Sequence, residues 1–299
     1  MKNLLITGSS GYIGAEIRTK FEKSSWNIFT AGRSQSSQFK IDLNNPASIL
    51  DVDLGLIQFD VCIHVAAAHE VVCANDPIMG SNINIIGTEA VAQLCINHKI
   101  PRFIYISTIH VFGDNTGFLT EDTVPLPNNN YGLSHYLAEE IVLMHNRRDG
   151  FNGSIVRLPN VIGAPNDWVS FNRWSLAPFD FCKQISENGS IVLKTHGQQM
   201  RNWIDLNSIG PFIFKHVDSQ RLPTLHFPGC EFSILELAQK IAMEWQTITD
   251  RKVDVKAPKN LTGLGPRKTF SSIHEAECKY PDISTFVQRN KTYLSGEIQ

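Results

Sequence analysis

The feature that most constrains the fold is an apolar run followed by three evenly spaced glycines near the start of the chain. Residues 3–17 read NLLITGSSGYIGAEI, with Gly8, Gly11 and Gly14 at G-x-x-G-x-x-G spacing. In a strand–turn–helix unit, the first glycine permits a tight turn and the second lets the backbone approach a pyrophosphate. The third lets the helix pack on the strand. A lone glycine triplet also fits an ordinary turn, but its position directly after a predicted strand favours dinucleotide binding.

The first half of the chain alternates short apolar runs with amphipathic stretches. The apolar runs predict strands at residues 3–7, 27–31, 61–66, 102–108 and 153–158. Helical spacing predicts helices within residues 14–24, 84–99 and 131–146. This alternation predicts an α/β fold with a Rossmann-like, doubly wound parallel sheet that is covered by helices on both faces.

The pattern loosens from about Asn160, with further helical candidates at residues 177–188 and 232–246. We predict a dinucleotide-binding domain over residues 1–160. Residues 161–299 are predicted to form mainly a smaller, C-terminal substrate-binding lobe, with segments that return to the Rossmann sheet. Large loops inside one domain would give the same pattern, and this alternative stays open.

Composition argues against several classes of protein. The formal net charge is −2 and the sequence pI is near 6.5, without the basic excess of proteins that bind nucleic acid or membrane surfaces. The six cysteines include no C-x-x-C pair, so we predict neither a metal site nor a disulfide framework. No signal-peptide core precedes the glycines, and no apolar run approaches the ~18 residues of a membrane-spanning helix. We expect a soluble, cytoplasmic protein with reduced thiols.

The end of the second predicted strand indicates which dinucleotide binds. NAD sites usually place Asp or Glu there, about 20 residues past the glycines, to hold the ribose hydroxyls. Here residues 30–36 read TAGRSQS, so the acid is missing and Arg33 is available for a 2′-phosphate. NADP(H) is therefore favoured. A solvated turn role for Arg33, and hence NAD(H), remains the alternative. Asp42 in KIDLNN is a candidate acceptor for the adenine amino group.

Further motifs follow the glycine turn: HVAAA at 64–68, NINIIGT at 82–88 and RFIYISTIHVFGD at 102–114. Together with TGSSGYIG, they resemble the extended short-chain dehydrogenase/reductases of the nucleotide-sugar epimerase and dehydratase type. The resemblance extends from residue 4 to about residue 208. It implies dinucleotide contacts at Gly8, Gly11, Tyr12, Ile13, Gly14, Ala66, Ala67 and Asn84.

The same resemblance implies catalytic roles. Thr108 matches the hydroxyl residue that hydrogen-bonds the reacting oxygen, while Phe112 stands where the family generally has a tyrosine. Tyr131, in NNNYGLSHYLAEE, matches the tyrosine that exchanges a proton with the substrate as hydride passes to or from the nicotinamide. The family has a lysine four positions further on, which lowers the tyrosine's pKa and holds the nicotinamide ribose. Here that position is His135.

His135 raises the question of whether an imidazole can replace an ammonium group. An unperturbed histidine titrates near ~6.5 and a tyrosine near ~10, so His135 is expected to be a weaker electrostatic activator than lysine. It could still hydrogen-bond the ribose or Tyr131, at a cost in rate. A helical Y-x-x-x-H also occurs by chance on protein surfaces, but its position after the Thr108 strand favours the catalytic interpretation.

His110 lies two positions after Thr108. Dehydratases of the resembled family typically carry an acidic residue in this segment, so TIH argues against a 4,6-dehydratase. In reductase-epimerases that first invert carbons beside a keto group, an acid–base side chain can occupy this position. Histidine titrates near neutral pH and suits that role. The alternative is a histidine that is packed at the strand end.

The second half of the chain supplies the predicted substrate contacts. VRLPNVIGAP resembles the strand and loop beside the nicotinamide, which implies that Pro159 lies against the ring and Asn160 contacts the substrate diphosphate. HGQQMRNWIDL is similar to the segment that carries a phosphate-binding arginine. Arg201 is the candidate, because a guanidinium can donate two parallel hydrogen bonds to phosphate oxygens. An exposed structural arginine is the alternative.

These features predict an NAD(P)-dependent oxidoreductase or epimerase that acts at C4 of a nucleotide-activated sugar. The alternative is a dinucleotide-binding sensor with little or no activity, for which the missing lysine is the main support. By resemblance we also expect a homodimer that pairs through two helices per subunit, with AVAQLCI and AEEIVLMH as apolar faces. A buried helix in a monomer would show the same pattern.

Overall fold

A parallel sheet forms the centre of the structure, a computed structural model that describes residues 1–218, 223–258, 267–275 and 279–297. The strands of these residues are β1 (Asn3–Thr7), β2 (Asn27–Gly32), β3 (Phe39–Lys40), β4 (Val61–His64), β5 (Phe103–Thr108), β6 (Gly117–Leu119), β7 (Gly153–Leu158), β8 (Asn160–Ile162), β9 (Ser190–Val192), β10 (Met200–Asp205), β11 (Thr224–His226), β12 (Cys230–Ser233), β13 (Asp254–Lys256) and β14 (Lys268–Phe270).

Seven of these strands pair in the order β11-β7-β5-β4-β1-β2-β3, and every pairing is parallel. Leu5 packs into a core on one face of the sheet, while Leu4 and Ile6 pack into a core on the other. Burial on both faces explains why these strands are continuously apolar. The predicted doubly wound parallel sheet is confirmed. The order of strands reverses between β1 and β4, which opens a crevice at their carboxyl ends.

Helices cover both faces of this sheet. They are α1 (Tyr12–Glu22), α2 (Glu70–Asn75), α3 (Pro77–Ser81), α4 (Gly87–Asn97), α5 (Asn130–Arg148), α6 (Ala177–Asn188), α7 (Leu206–His216), α8 (Ile234–Thr249) and α9 (Ile283–Leu294), with a π-helical turn at Asn82–Ile86 before α4. The prediction that AVAQLCI forms a dimer face is wrong: Val91, Leu94 and Cys95 are buried in the core beneath α4. The apolar spacing of α4 is therefore explained by packing within one subunit.

The second half of the chain builds smaller sheets. β10 pairs antiparallel with β12 and parallel with β8, around a core that includes Trp168, Phe179 and Trp245. β11 lies at the edge of the large sheet beside β7, and β14 pairs with β6. These pairings return later segments to the neighbourhood of the first half. The division into two domains at residue 160 stays a prediction.

Four cysteines, Cys62, Cys73, Cys95 and Cys182, are free and buried. Cys230 is disulfide-bonded, which the spacing of the cysteines did not predict. The sixth, Cys278, lies outside the described residues. Within the described ranges, no helix has both the length and the apolar character needed to cross a membrane.

Candidate active site

The glycine turn lies in the crevice between β1 and β4. Gly8 has a φ of 69°, in the left-handed region that favours glycine, and a Cβ there would lie 2.7 Å from the amide nitrogen of Ala66. A Cβ on Gly14 would lie 2.1 Å from the carbonyl oxygen of Gly8. Gly11 caps α1, whose first amides face this side of the turn. The turn fits the diphosphate of a dinucleotide, because main chain lines the space that side chains would otherwise fill.

Tyr12 and Ile13 also have structural tasks in this turn. The Tyr12 hydroxyl donates a hydrogen bond to the carbonyl oxygen of Gly163 at 2.7 Å, and its ring packs edge-on against Phe171 and Phe179. Burial raises the pKa of the Tyr12 phenol. Ile13 packs against the core on the α1 face of the sheet. The side chain of Tyr12 thus ties the glycine turn to the segment after β8.

A cleft of about 360 Å³ separates the glycine turn from the segment that follows β8. On the turn side it is lined by Ser10, Gly11, Tyr12 and Ala15, and on the other side by residues that include Asp167, Ser170 and Arg173. Arg173 forms an ion pair with Glu70, the first residue of α2. Sequence reasoning identified neither member of this pair, since they lie far apart in the chain.

The predicted adenosine end of the site is open. Arg33 directly follows β2, is exposed, and forms no ion pair with any described residue. Lys40, which the sequence analysis did not single out, donates hydrogen bonds to the carbonyl oxygens of Ser34 at 2.7 Å and Gln35 at 2.9 Å. It fixes the loop that carries Arg33. The carboxylate of Asp42 already accepts hydrogen bonds from the backbone and side chain of Asn44, at 3.0 and 2.9 Å.

Asn84 has a different place from the predicted dinucleotide contact. It is buried, accepts a hydrogen bond from the amide of Ala68 at 2.6 Å, and donates one to Ser134 Oγ at 2.9 Å. Through these hydrogen bonds, Asn84 links the segment after β4 to α5 and holds both in position. Ala66 and Ala67, in the same segment, are half-buried and exposed respectively.

Three candidate catalytic residues meet at the carboxyl end of β5. Thr108 ends the strand, His110 lies in the following turn, and Tyr131 lies in the first turn of α5. The ring centroids of His110 and Tyr131 are 5.5 Å apart, and the Thr108 side chain lies close enough to Tyr131 to help lower the pKa of its phenol. A Cβ on Gly132 would lie 2.2 Å from the His110 carbonyl oxygen. This close approach sets Tyr131 directly against the His110 turn.

The environment of Tyr131 favours the neutral phenol. Burial raises the pKa of Tyr131 to about 12, and the negative charge of Glu70 acts in the same direction. The positive charge of Arg173 and the neighbouring Thr108 side chain act in the opposite direction but do not offset burial. In the ligand-free protein, Tyr131 therefore carries its proton at neutral pH and can donate it.

His135 lies beneath Tyr131 and does not supply the charge of a lysine. Its Nδ1 is hydrogen-bonded to the Tyr105 hydroxyl at 2.6 Å, and its ring lies 4.6 Å from that of Tyr131. Burial lowers the pKa of His135 to about 3, so the ring is neutral. Its Nε2 is buried and has no hydrogen-bond partner among the described residues. A direct contact with a ribose would require the ring to become accessible.

A row of buried hydrogen bonds continues below His135. The neighbouring Thr88 side chain acts to lower the pKa of Tyr105, against the larger effect of burial, and its hydroxyl lies 3.1 Å from His64 Nε2. His64 Nδ1 lies 2.6 Å from the hydroxyl of Thr7, the last residue of β1. Burial lowers the pKa of His64 to about 3. These buried polar groups lie between the end of β1 and the base of the Tyr131 site.

Arg201, one of the predicted substrate residues, lies near His110. The protein packed around the His110 imidazole is the main cause that lowers its pKa, even though the residue as a whole is partly open to solvent. The charges of Arg201 and Lys268 act in the same direction. Asn160 donates a hydrogen bond to the Asn202 carbonyl oxygen at 3.0 Å, and the neighbouring Pro159 is buried. Lys268, on β14, was not identified from the sequence. It donates a hydrogen bond to the Gly113 carbonyl oxygen and lies 3.9 Å from Asp114.

Comparisons with known proteins identify the family of this chain. The model of the NAD dependent epimerase/dehydratase family matches residues 4–210, and the chain belongs to that family. A putative UDP-glucose 4-epimerase of Methanocaldococcus jannaschii is 30% identical over 219 residues, which cover 69% of this chain and 70% of that protein.

Two solved structures share the fold at low sequence identity. The UDP-glucose 4-epimerase of Thermotoga maritima, solved with UDP-glucose, matches with a TM-score of 0.80 at 17% identity. The match covers 98% of this chain and 99% of that one. RMD from Pseudomonas aeruginosa, complexed with NADPH, matches with a TM-score of 0.80 at 18% identity over 100% of both chains.

Proposed function

We propose that this protein reduces a keto group at C4 of a nucleotide-activated sugar and that NADPH is the favoured reductant. The observation that carries the proposal is the cluster of Thr108, Tyr131 and His110 beside the glycine-turn cleft. Membership of the NAD dependent epimerase/dehydratase family supports the general chemistry. The particular reaction is inferred from the charge state of the cluster.

In this proposal, Tyr131 is the proton donor. A bound nicotinamide dinucleotide supplies the hydride that the reduction consumes. The Thr108 hydroxyl holds the reacting oxygen, and the Tyr131 phenol gives it a proton as the alcohol forms. A pKa of about 12 suits this direction, because the phenol is fully protonated before the reaction. Oxidation of an alcohol would first require a phenolate, which the buried, neutral His135 does not stabilise.

His110 is proposed to act on the carbon next to the keto group. Its lowered pKa keeps the imidazole neutral near pH 7, and a neutral imidazole can accept the proton that a carbon acidified by the keto group releases. The residue is partly open to solvent, and the charges of Arg201 and Lys268 act on its imidazole. This role would couple epimerisation to the reduction.

The substrate diphosphate is proposed to bind between Arg201 and Lys268. The pKa of Lys268 is lowered by burial and by the positive charge of Arg201, so the two cations repel each other without an anion between them. Asp114 provides only partial compensation, with its carboxylate 3.9 Å from Lys268 and its side chain exposed. A diphosphate carries the negative charge that this pair lacks, and guanidinium and ammonium groups both bind phosphate.

Arg33 and Lys40 support the preference for NADPH. Arg33 lies exposed at the end of β2 and Lys40 fixes the adjacent loop, so two cations lie where the ribose 2′-phosphate is expected. NADH remains the alternative reductant.

We also propose a homodimer that forms through α5. Leu133 and Leu137 are exposed at helical spacing and continue into the half-buried Ile141 and Met144. Ile86, at the start of α4, is also exposed. These side chains form an apolar stripe that a second copy of α5 would cover. Analytical ultracentrifugation of Leu133→Lys/Leu137→Lys tests this, since two charges in the stripe should yield monomers.

The decisive experiment is product analysis by NMR with 4-keto and 4-hydroxy UDP-, GDP- and dTDP-sugars, with NADPH or NADH. We expect a 4-keto sugar to be reduced, and we expect Tyr131→Phe to lower kcat about 100-fold or more. Tyr136→Phe is the matched control, because this half-buried tyrosine lies on the same helix. Interconversion of 4-hydroxy epimers without net use of NADPH would identify an epimerase instead. Cofactor binding without any turnover would support a sensor.

A further inference from the structure

The ion pair between Arg173 and Glu70 involves a residue that lines the cleft in which the proposed dinucleotide would lie. Glu70 begins α2, directly after the segment that follows β4, whereas Arg173 belongs to the segment between β8 and α6. Arg173 lines the cleft opposite Ser10 and Gly11 of the glycine turn. The pair therefore ties one wall of the cleft, the segment after β8, to the start of α2.

The guanidinium of Arg173 is not saturated by this pair. One terminal nitrogen donates to the Glu70 carboxylate, while Nε is buried without a hydrogen-bond partner among the described residues. The side chain retains 22% exposure, so part of the group still faces the cleft. An arginine has five N–H donors in a planar fork, which suits a bidentate anion better than a single carboxylate contact.

The position of the pair points to the middle of a dinucleotide. Its two charges act in opposite directions on the pKa of Tyr131, and Arg173 also acts on the pKa of Tyr12 in the glycine turn. Arg173 thus lies between the residue that begins α1 and the proposed proton donor. A dinucleotide that is bound by the glycine turn places its diphosphate in this interval.

We propose that Arg173 binds the diphosphate of the dinucleotide, and that it releases the Glu70 carboxylate when it does so. This inference rests on the proposed use of a nicotinamide dinucleotide. In the ligand-free protein, Glu70 holds Arg173 in the cleft and satisfies part of its charge. The diphosphate then competes with Glu70 for the same guanidinium, so Glu70 opposes binding while Arg173 promotes it.

The exchange predicts opposite effects of two substitutions that break the same ion pair. We expect Arg173→Gln to raise the Kd of NADPH about 10-fold or more, since a charge-assisted contact with phosphate is lost. Glu70→Gln should lower that Kd by about 3-fold, since the competing carboxylate is removed. The measurement is isothermal titration calorimetry with NADPH and with 2′-phospho-ADP-ribose, which keeps the diphosphate but lacks the nicotinamide.

Each other outcome overturns the proposal. If Arg173→Gln and Glu70→Gln both weaken NADPH binding, the ion pair only stabilises the shape of the cleft. If Arg173→Gln weakens the binding of NADPH but not that of 2′-phospho-ADP-ribose, Arg173 contacts the nicotinamide end of the dinucleotide and not its diphosphate. Thermal unfolding without NADPH checks that Arg173→Gln and Glu70→Gln lower the stability of the protein by similar amounts, as expected when both break the same ion pair. Calorimetry needs no turnover, so a protein that binds NADPH as expected but reduces no sugar refutes the proposed function and leaves this inference standing.

Discussion

The imidazole of His135 lies edge-on beneath the phenol ring of Tyr131, with 4.6 Å between the ring centroids and 73° between the ring planes. Its Nδ1 is hydrogen-bonded to the Tyr105 hydroxyl at 2.6 Å. The residue in the lysine position therefore supports the tyrosine by packing rather than by charge. The positive charge that favours the Tyr131 phenolate belongs instead to Arg173, on a different part of the chain.

We expect His135→Phe to lower the free energy of unfolding by about 1–3 kcal/mol, because it leaves the buried Tyr105 hydroxyl without its partner. The ring shape is kept, so little of this loss should come from a cavity. Urea denaturation of His135→Phe, Tyr105→Phe and the double variant measures it. The double variant should lose less stability than the sum of the single ones, and strict additivity would contradict the pairing.

Stability should fall in mild acid. His135 and His64 have folded pKa values of about 3, and His226 of about 4, all lowered mainly by burial. Their unfolded pKa is near ~6.5, so below that pH the unfolded chain binds protons that the folded chain does not. The stabilisation is complete above pH ~6.5 and is lost as the pH falls toward the folded values.

We expect a loss on the order of 1–2 kcal/mol for each buried histidine by pH 5. Urea denaturation at several values between pH 7 and pH 5 gives the slope of stability against pH. Removal of one titrating group in His135→Phe should make that slope shallower by about 1 kcal/mol per pH unit. An unchanged slope in this variant would contradict the burial of a neutral ring.

Gly8 and Gly55 provide a matched pair for the glycine turn. Their φ values are 69° and 66°, but a Cβ on Gly55 would meet no atom within 4 Å, while one on Gly8 would lie 2.7 Å from Ala66 N. Gly55→Ala should cost only backbone strain, about 1 kcal/mol, and leave NADPH affinity unchanged. Gly8→Ala should cost more and weaken NADPH binding, as measured by thermal unfolding and calorimetry. If Gly8→Ala and Gly55→Ala had equal effects on stability and NADPH affinity, the glycine turn would have no specific role in cofactor binding.

Arg33→Ala should change the affinity for NADPH and the affinity for NADH by different amounts. Loss of a charge-assisted contact with the 2′-phosphate should raise the Kd of NADPH about 10- to 100-fold and leave that of NADH nearly unchanged. Arg147→Ala is the control, since that arginine is exposed and has only a 3.7 Å ion pair with Glu140. If Arg33→Ala weakens the binding of NADPH and NADH equally, Arg33 does not contact the 2′-phosphate.

Lys268→Gln should raise the KM for the nucleotide sugar about 10-fold, with kcat affected less, because it removes one charge from the proposed diphosphate site. Lys252→Gln provides the comparison, since this lysine is 81% exposed and pairs with Asp254. Steady-state kinetics at fixed NADPH makes the measurement. A fall in kcat alone would place Lys268 outside substrate binding.

Local signals explain what could be predicted from the sequence. α6 has the predicted bounds because Pro178 suits its first turn and Gly189, with a φ of 66°, ends it. The strand before Gly8 and the helix after Gly14 follow from equally short patterns. In each case, the residues that determine the element lie within it or beside it.

Distant pairings explain what could not be predicted. Lys268 reaches the substrate side only because β14 pairs with β6. The spacing of Tyr131 and His135 places both on one side of a helix, but the depth of His135 depends on Tyr105 in β5. Arg173 and Glu70 meet across 103 positions of the chain. No periodicity or local motif records such contacts.

The outer position of β11 has a consequence for synthesis on the ribosome. β7 carries a free edge of backbone donors and acceptors until Thr224–His226 has emerged and paired with it. The glycine turn and Tyr131 are made long before that point, and Lys268 still later. A nascent chain therefore passes through a stage with a complete nucleotide turn, an uncovered strand and an unfinished sugar site. During that interval, a chaperone or a neighbouring chain would compete with the chain's own later strand for the edge of β7.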